Sequence, residues 1–321
     1  ANILLAGTLT LPKIEGTYPA VILISGSGPQ DRNEELLGHK PFLVISDYLT
    51  RNGFAVLRFD DRGVAQSKGN FENATTFDFA SDVKAAIEYL KTRKEIQTTN
   101  IGLMGHSEGG IIAPIVASQF PNDVHFIVLL AGTGLPGYQI LLMQQELIGK
   151  AMGMSTKEIE KNKATNTLIF NKIVNSTNSD SLQIELDVIF REIFKNDTSS
   201  VPQGTTKDEF IQLQLQQVMS PWMLTFLTYN PSKSLQNVRC AVLAVNGEKD
   251  LQVPPKENLQ AIKQALQMGG NNRVSTIEFS GLNHLFQECE TGSPTEYSEI
   301  EQTFSPKALD EILKWMKEQT K

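Results

Sequence analysis

Short apolar runs, each closed by glycine, proline or a charged pair, alternate along this chain with stretches of helical periodicity. Residues 20–25 (AVILIS), 54–59 (FAVLRF), 101–104 (IGLM), 125–130 (HFIVLL), 241–246 (AVLAVN) and 274–279 (VSTIEF) are the runs. Apolar runs with little polar alternation are the signature of strands covered on both faces. Between them, residues 41–52 end at Asn52-Gly53, and residues 77–91 place Phe79, Val83, Ile87 and Leu90 near helical spacing. Residues 256–268 stop at Gly269-Gly270, and residues 305–317 carry Pro306 in the first turn, where its missing N–H costs nothing. Strand–helix alternation of this kind predicts an α/β chain: a mostly parallel sheet with right-handed crossovers and helices on both faces. Residues 2–11 add a strand-like opening in which Gly7 permits a bulge or turn.

The pattern changes between residues 133 and 236. No buried-strand run occurs there. Helical stretches at 139–152 and 208–219 are separated by polar breaks at 176–181 and 196–204. This predicts a helical insertion in a core formed by residues 1–132 and 237–321. A segment leaving the carboxyl end of a parallel strand emerges on the edge where such sheets hold their ligands. The insertion is therefore expected to form a cap. Trp222 and Met223 foremost, with Phe226 and Tyr229, are expected to form the apolar roof of a pocket.

With 321 residues, 40% of them hydrophobic, the chain can bury one large core and carry an insertion. Its 29 basic and 36 acidic residues give a net charge of −7 and no long basic run, which argues against nucleic acid as a partner. No apolar run has the length of a membrane span. Cys240 and Cys289 are placed near opposite edges of the sheet, roughly 20 Å apart and too far to bridge, and leave the compartment open. The chain opens at Ala1 with no signal-like segment. A cleaved leader, a tag remnant or a truncation would each leave such an opening.

The chemistry is concentrated at Gly105-His106-Ser107-Glu108-Gly109, a G-x-S-x-G motif between a predicted strand and a predicted helix. A serine in so tight a turn is held strained with its hydroxyl exposed, and its neighbours two residues away must lack a Cβ. The helix beyond it aims free N–H groups at the site. Serine needs a base, and the base an orienting carboxylate, here expected in the order Ser, acid, His after successive strands. Asp250 lies four residues beyond Asn246 and His284 five beyond Phe279. His39, His106 and His125 are in the wrong places, so His284 is the candidate base. Asp250 is the preferred acid, with Glu248 and Asp60 as competitors. For the oxyanion, the backbone N–H of Glu108 and that of Ser27, between Gly26 and Gly28, are the candidate donors. Gly26-Ser27-Gly28-Pro29 matches neither phosphate-binding glycine pattern. Arg62 of Asp61-Arg62-Gly63 is expected to brace neighbouring loops. Residues 30–33 (QDRN) either line the pocket or cap the next helix.

The segments SGSGPQDRN, FDDRGVAQSKG, GHSEGG, NGEKDLQVPP and GLNHLF resemble those of the α/β-hydrolase superfamily. They are most similar to bacterial serine esterases with a helical cap, near the cinnamoyl and feruloyl esterases and monoacylglycerol-lipase-like hydrolases. The resemblance covers nearly the whole chain. It implies a carboxylic-ester hydrolase acting through an acyl-enzyme on small to medium acyl esters, with no metal or cofactor. It departs at Ser25, where such proteins usually carry a histidine before the oxyanion-loop glycine. A peptidase of the prolyl-peptidase type, an acyl thioesterase and an acyltransferase share the same core and are the alternatives. Relatives of this type are often exported, which leans toward a periplasmic or secreted location. The cap carries no recognisable motif, so the natural acyl and alcohol groups stay open, as does the oligomeric state.

Overall fold

The computed structural model describes residues 3–13, 15–195 and 201–321. Among them, seven strands form one sheet: β1 (Gly7–Thr10), β2 (Tyr18–Ile24), β3 (Ala55–Phe59), β4 (Ile96–His106), β5 (Phe126–Leu130), β6 (Ala241–Gly247) and β7 (Val274–Phe279). Their order is β1-β3-β2-β4-β5-β6-β7, parallel throughout except for β1, which runs antiparallel to β3 at the edge. The parallel, doubly covered sheet is as the apolar runs predict.

Two elements depart from the reading of the sequence. The opening strand spans only Gly7–Thr10, and Asn2, its expected start, lies outside the described residues. Gly7 makes neither bulge nor turn: it pairs with Phe59, and a Cβ there would sit 2.8 Å from the Arg58 carbonyl oxygen. Strand β4 begins well before its apolar stretch, at Ile96, because the polar residues that open it still reach β2 through the Tyr18–Ile96 pairing.

Helices α1 (Pro41–Arg51), α2 (Thr76–Lys91) and α3 (Gly109–Gln119) alternate with the first strands. Thr75 and Asp78 form a reciprocal capping box at the start of α2, an arrangement worth about 1 kcal/mol. Between β5 and β6 the chain makes α4 (Gly137–Ala151), α5 (Thr156–Asn175), α6 (Ser179–Ile193), α7 (Lys207–Val218), α8 (Pro221–Thr228) and α9 (Ser232–Leu235). Of the polar stretch 176–181, only residues 176–178 break the helices; Asn178 caps α6, and residues 179–181 form its first turn. The expected break at 196–204 lies partly outside the described residues. Helices α10 (Pro255–Met268) and α11 (Pro306–Gln319) complete the chain. Cys240 and Cys289 are both free thiols.

Apolar clusters fill both faces of the sheet. A third, separate cluster sits within the insertion and includes Ile169, Phe170, Leu186, Phe190 and Leu215. The insertion thus has a small core of its own. Helices α4, α8 and α9 reach the main body, where Leu141, Trp222, Phe226, Tyr229 and Leu235 pack in or against one face cluster.

The loop after β3 is anchored to α2 by Arg62. Its Nε and Nη2 take both Asp82 carboxylate oxygens at 2.7 and 2.8 Å, and Nη1 reaches Asp78 at 3.0 Å. Arg62 therefore braces a loop against a helix, where the sequence suggested loop against loop. Both side chains of the Arg62–Asp82 pair are only 7% exposed. Removing one partner leaves the other charge buried and alone, so Arg62→Ala is expected to cost about 3–5 kcal/mol in urea unfolding. A loss below about 1 kcal/mol would show the pair to be dispensable.

Candidate active site

Ser107 follows directly on the end of β4 with a φ of 52°, in the left-handed region. Its N–H donates to the Leu130 carbonyl at the end of β5. The two flanking glycines are there because nothing larger fits. A Cβ on Gly105 would sit 2.0 Å from the Gly109 carbonyl oxygen, and one on Gly109 2.2 Å from that of Ile24. The turn can close only where strand and helix backbones touch.

The loops after β6 and β7 bring the other two side chains to the same place. His284 Nδ1 lies 2.8 Å from Asp250 Oδ2. The other oxygen of Asp250, Oδ1, accepts the N–H groups of Gln252 and Val253 at 2.8 and 2.9 Å. The carboxylate can only accept, so Nδ1 of His284 carries the proton and Nε2 is left as the basic nitrogen. The histidine loop is shaped by Asn283, whose side-chain oxygen accepts the N–H groups of Leu285 and Gln287. Ser107 and His284 line one cavity. No hydrogen bond joins them among the described residues. Such contacts tighten when substrate arrives.

The competing acids are engaged elsewhere. Asp60 forms a bidentate pair with Arg32 at 2.9 and 2.7 Å, and Glu248 accepts from Ser280 and the Gly281 N–H. The other two histidines outside the elbow are tied to backbone carbonyls, His39 to Tyr297 and His125 to Gln319. Ser25, in the position of the usual histidine, donates to Asp61 at 2.8 Å. Of residues 30–33, Gln30 lines the cavity, Arg32 holds Asp60, and Asp31 orders the turn by accepting from the Asn33 N–H.

Among the described residues, neither the Ser27 nor the Glu108 N–H has a protein acceptor. The Glu108 side chain does something the sequence did not announce. Its carboxyl is buried and accepts the Thr76 hydroxyl at 2.6 Å and the Trp222 indole N–H at 2.9 Å to each oxygen. Burial pushes its pKa up, opposed by hydrogen bonds from the Thr76, Trp222 and Ser27 side chains. Asp61 nearby is pushed up to about 7, chiefly by burial and further by the charges of Glu34 and Glu108.

The cavity over Ser107 holds about 290 Å³. Its apolar walls include Trp222 and Phe226 from α8, stacked at 5.3 Å, and Ile140 and Leu141 from α4. A hydrogen-bonded pair, Gln144 of α4 and Gln252 of the Asp250 loop, joins insertion to core at the wall. Met223 is not among the lining residues. One step along α8 from Trp222 turns a side chain by about 100°, and Met223 packs into the insertion's own apolar cluster. Tyr229 likewise stays out of the wall and packs edge-on against Phe77. No helix among the described residues is long and apolar enough to cross a membrane.

Trp222→Ala should open the cavity toward α8 and favour longer acyl chains. Relative rates across chain lengths are expected to move by roughly tenfold, more than the rate on an acetyl ester. An equal loss on every ester would assign Trp222 to packing alone.

The family described as Serine aminopeptidase, S33 matches residues 41–198, just under half of the chain. Esterase EstD of Thermotoga maritima is 24% identical over 313 residues, which are 97% of this chain and 65% of that protein. The chain thus spans less than two thirds of this relative's length. Among solved structures, Est1E of Butyrivibrio proteoclasticus with bound ferulic acid superposes with a TM-score of 0.56 at 17% identity, over 99% of this chain and 96% of that one. A monoacylglycerol lipase of Paleococcus ferrophilus gives 0.54 at 17% identity, over 98% and 99%.

Proposed function

We propose that this chain is an α/β-hydrolase, and within that fold a serine carboxylic-ester hydrolase working through an acyl-enzyme on small to medium acyl esters. The observation that carries this reading is the Asp250–His284 bond beside a left-handed Ser107 in one apolar cavity. His284 Nε2 takes the Ser107 proton as Oγ attacks the ester carbonyl. The N–H groups of Ser27 and Glu108 receive the oxygen that turns negative. Returning the proton to the alcohol completes acylation, and water repeats the sequence to release the acid. The insertion acts as a cap that sets acyl preference, while the core performs the chemical step.

An aminopeptidase would need a group for the substrate's ammonium. Glu34 and Glu108 are the acids that line the cavity, and both are already occupied by protein donors. This favours the ester over the peptide. A panel of aryl esters of increasing acyl length, run beside an aminoacyl anilide, tests the reading. Hydrolysis of the anilide in preference to every ester would replace it with the peptidase.

A further inference from the structure

Beside the Asp250–His284 pair lies a second histidine–carboxylate pair that the reaction as written does not use. His106, within the elbow, is buried with its ring centroid 4.8 Å from that of His284. Its Nε2 lies 3.1 Å from the His284 backbone oxygen, and its Nδ1 2.9 Å from Glu34 Oε1. A carbonyl oxygen only accepts, so Nε2 carries a proton. Glu34 Oε1 also accepts the Gly26 N–H at 2.6 Å. An oxygen engaged in so short a charge-assisted bond is the poorer place for the remaining proton, which belongs on Nδ1. His106 is then an imidazolium and Glu34 its carboxylate. Burial works against the charge on His106, but Glu34 and the His284 carbonyl outweigh it and hold its pKa above the ordinary histidine value.

Glu34 reaches this position by a backbone turn with φ of 52°, a conformation that a non-glycine residue adopts only where its surroundings enforce it. The result is one line of hydrogen bonds across three loops. Gly26, next to the candidate oxyanion donor Ser27, follows β2; His106 ends β4; His284 follows β7. We propose that the Glu34–His106 ion pair is a positioning device, fixing the oxyanion loop and the backbone of the general base against the elbow that bears the nucleophile. This rests on the ester-hydrolase reading. The titratable residues facing His106 are Glu34 from the loop before α1, Asp250 from the loop after β6, and His284, through its backbone oxygen, from the loop after β7. Asp61, after β3, and Glu108, on the elbow, interact with one another, and Asp61 also with Glu34.

The pair has a kinetic consequence that a merely structural contact lacks, because alignment acts on turnover rather than on binding. Glu34→Gln removes the carboxylate that sustains the cation, and His106 becomes neutral. The expected result with an aryl acetate is about a 100-fold fall in kcat, as for loss of alignment, with KM nearly unchanged. His106→Asn, which loses the link to the His284 carbonyl, should behave alike. An unchanged kcat, or a loss carried mainly by KM, overturns the proposal. Failure of both variants to fold assigns the pair to the core and overturns it too. The rate of labelling by a fluorophosphonate supplies a readout independent of ester turnover. If the wild-type protein labels but hydrolyses no ester, the functional reading fails, while slowed labelling in the two variants still supports the pair.

Discussion

Ser107→Ala is expected to abolish both covalent labelling by a fluorophosphonate and ester turnover, the latter by roughly 10⁶-fold, the loss seen when a serine protease loses its nucleophile. The expectation follows from the backbone. At φ of 52°, with its N–H bound to the Leu130 carbonyl, Ser107 has its side chain presented to the cavity by a turn that glycines on both sides allow to close. Alanine removes only the hydroxyl and leaves the turn intact, so the melting temperature should hardly change. Intact-mass analysis after labelling decides the matter: one adduct on the wild type and none on the variant. An adduct that persists in Ser107→Ala places the nucleophile elsewhere.

Asp250→Asn should fold normally and lose about 10⁴-fold in kcat, as the equivalent change does in a triad protease. The structure explains why the loss should be so large. The Gln252 and Val253 N–H groups both point at Oδ1. In the variant, the amide oxygen stays with those two donors, which places the amide NH₂ against His284 Nδ1. That nitrogen must then accept, the proton moves to Nε2, and the base faces Ser107 with its lone pair gone. Steady-state kinetics together with a thermal melt test this. Near-normal turnover in a folded variant would remove Asp250 from the triad despite its bond to His284.

What could be read from the sequence was what depends on local context. Ser107, Asp250 and His284 each follow a run of buried-strand residues, so the three strand ends place them on one edge of a parallel sheet before any contact is known. The features that escaped depend on distant partners. His106 and Glu34 are 72 positions apart and meet only because Glu34 takes a left-handed turn that no residue type announces. Glu108 suggested a backbone donor, but its side chain is the seat of the insertion, through a Trp222 bond spanning 114 positions. Trp222 and Met223 are adjacent and apolar, so the sequence alone gives them one role. An eight-residue helix shows too little periodicity to say that one faces the elbow and the other the insertion's own core. The opening residues of β4, 96–100, are mostly polar and carry no apolar signal.

The indole of Trp222 is one of only two in the chain. Trp315 stands edge-on to Phe126, in the cluster on the other face of the sheet from the one Trp222 joins. Trp222 holds the Glu108 carboxyl in the cavity wall. Excited-state emission from an indole responds to the group placed against its N–H, and Trp315 is not among the residues that line the cavity. The protein therefore carries its own optical probe of the space above Ser107. With Trp315→Phe as the reference chain, the occupancy of that space can be followed by ultraviolet light alone, on the timescale of mixing and without a chromogenic substrate.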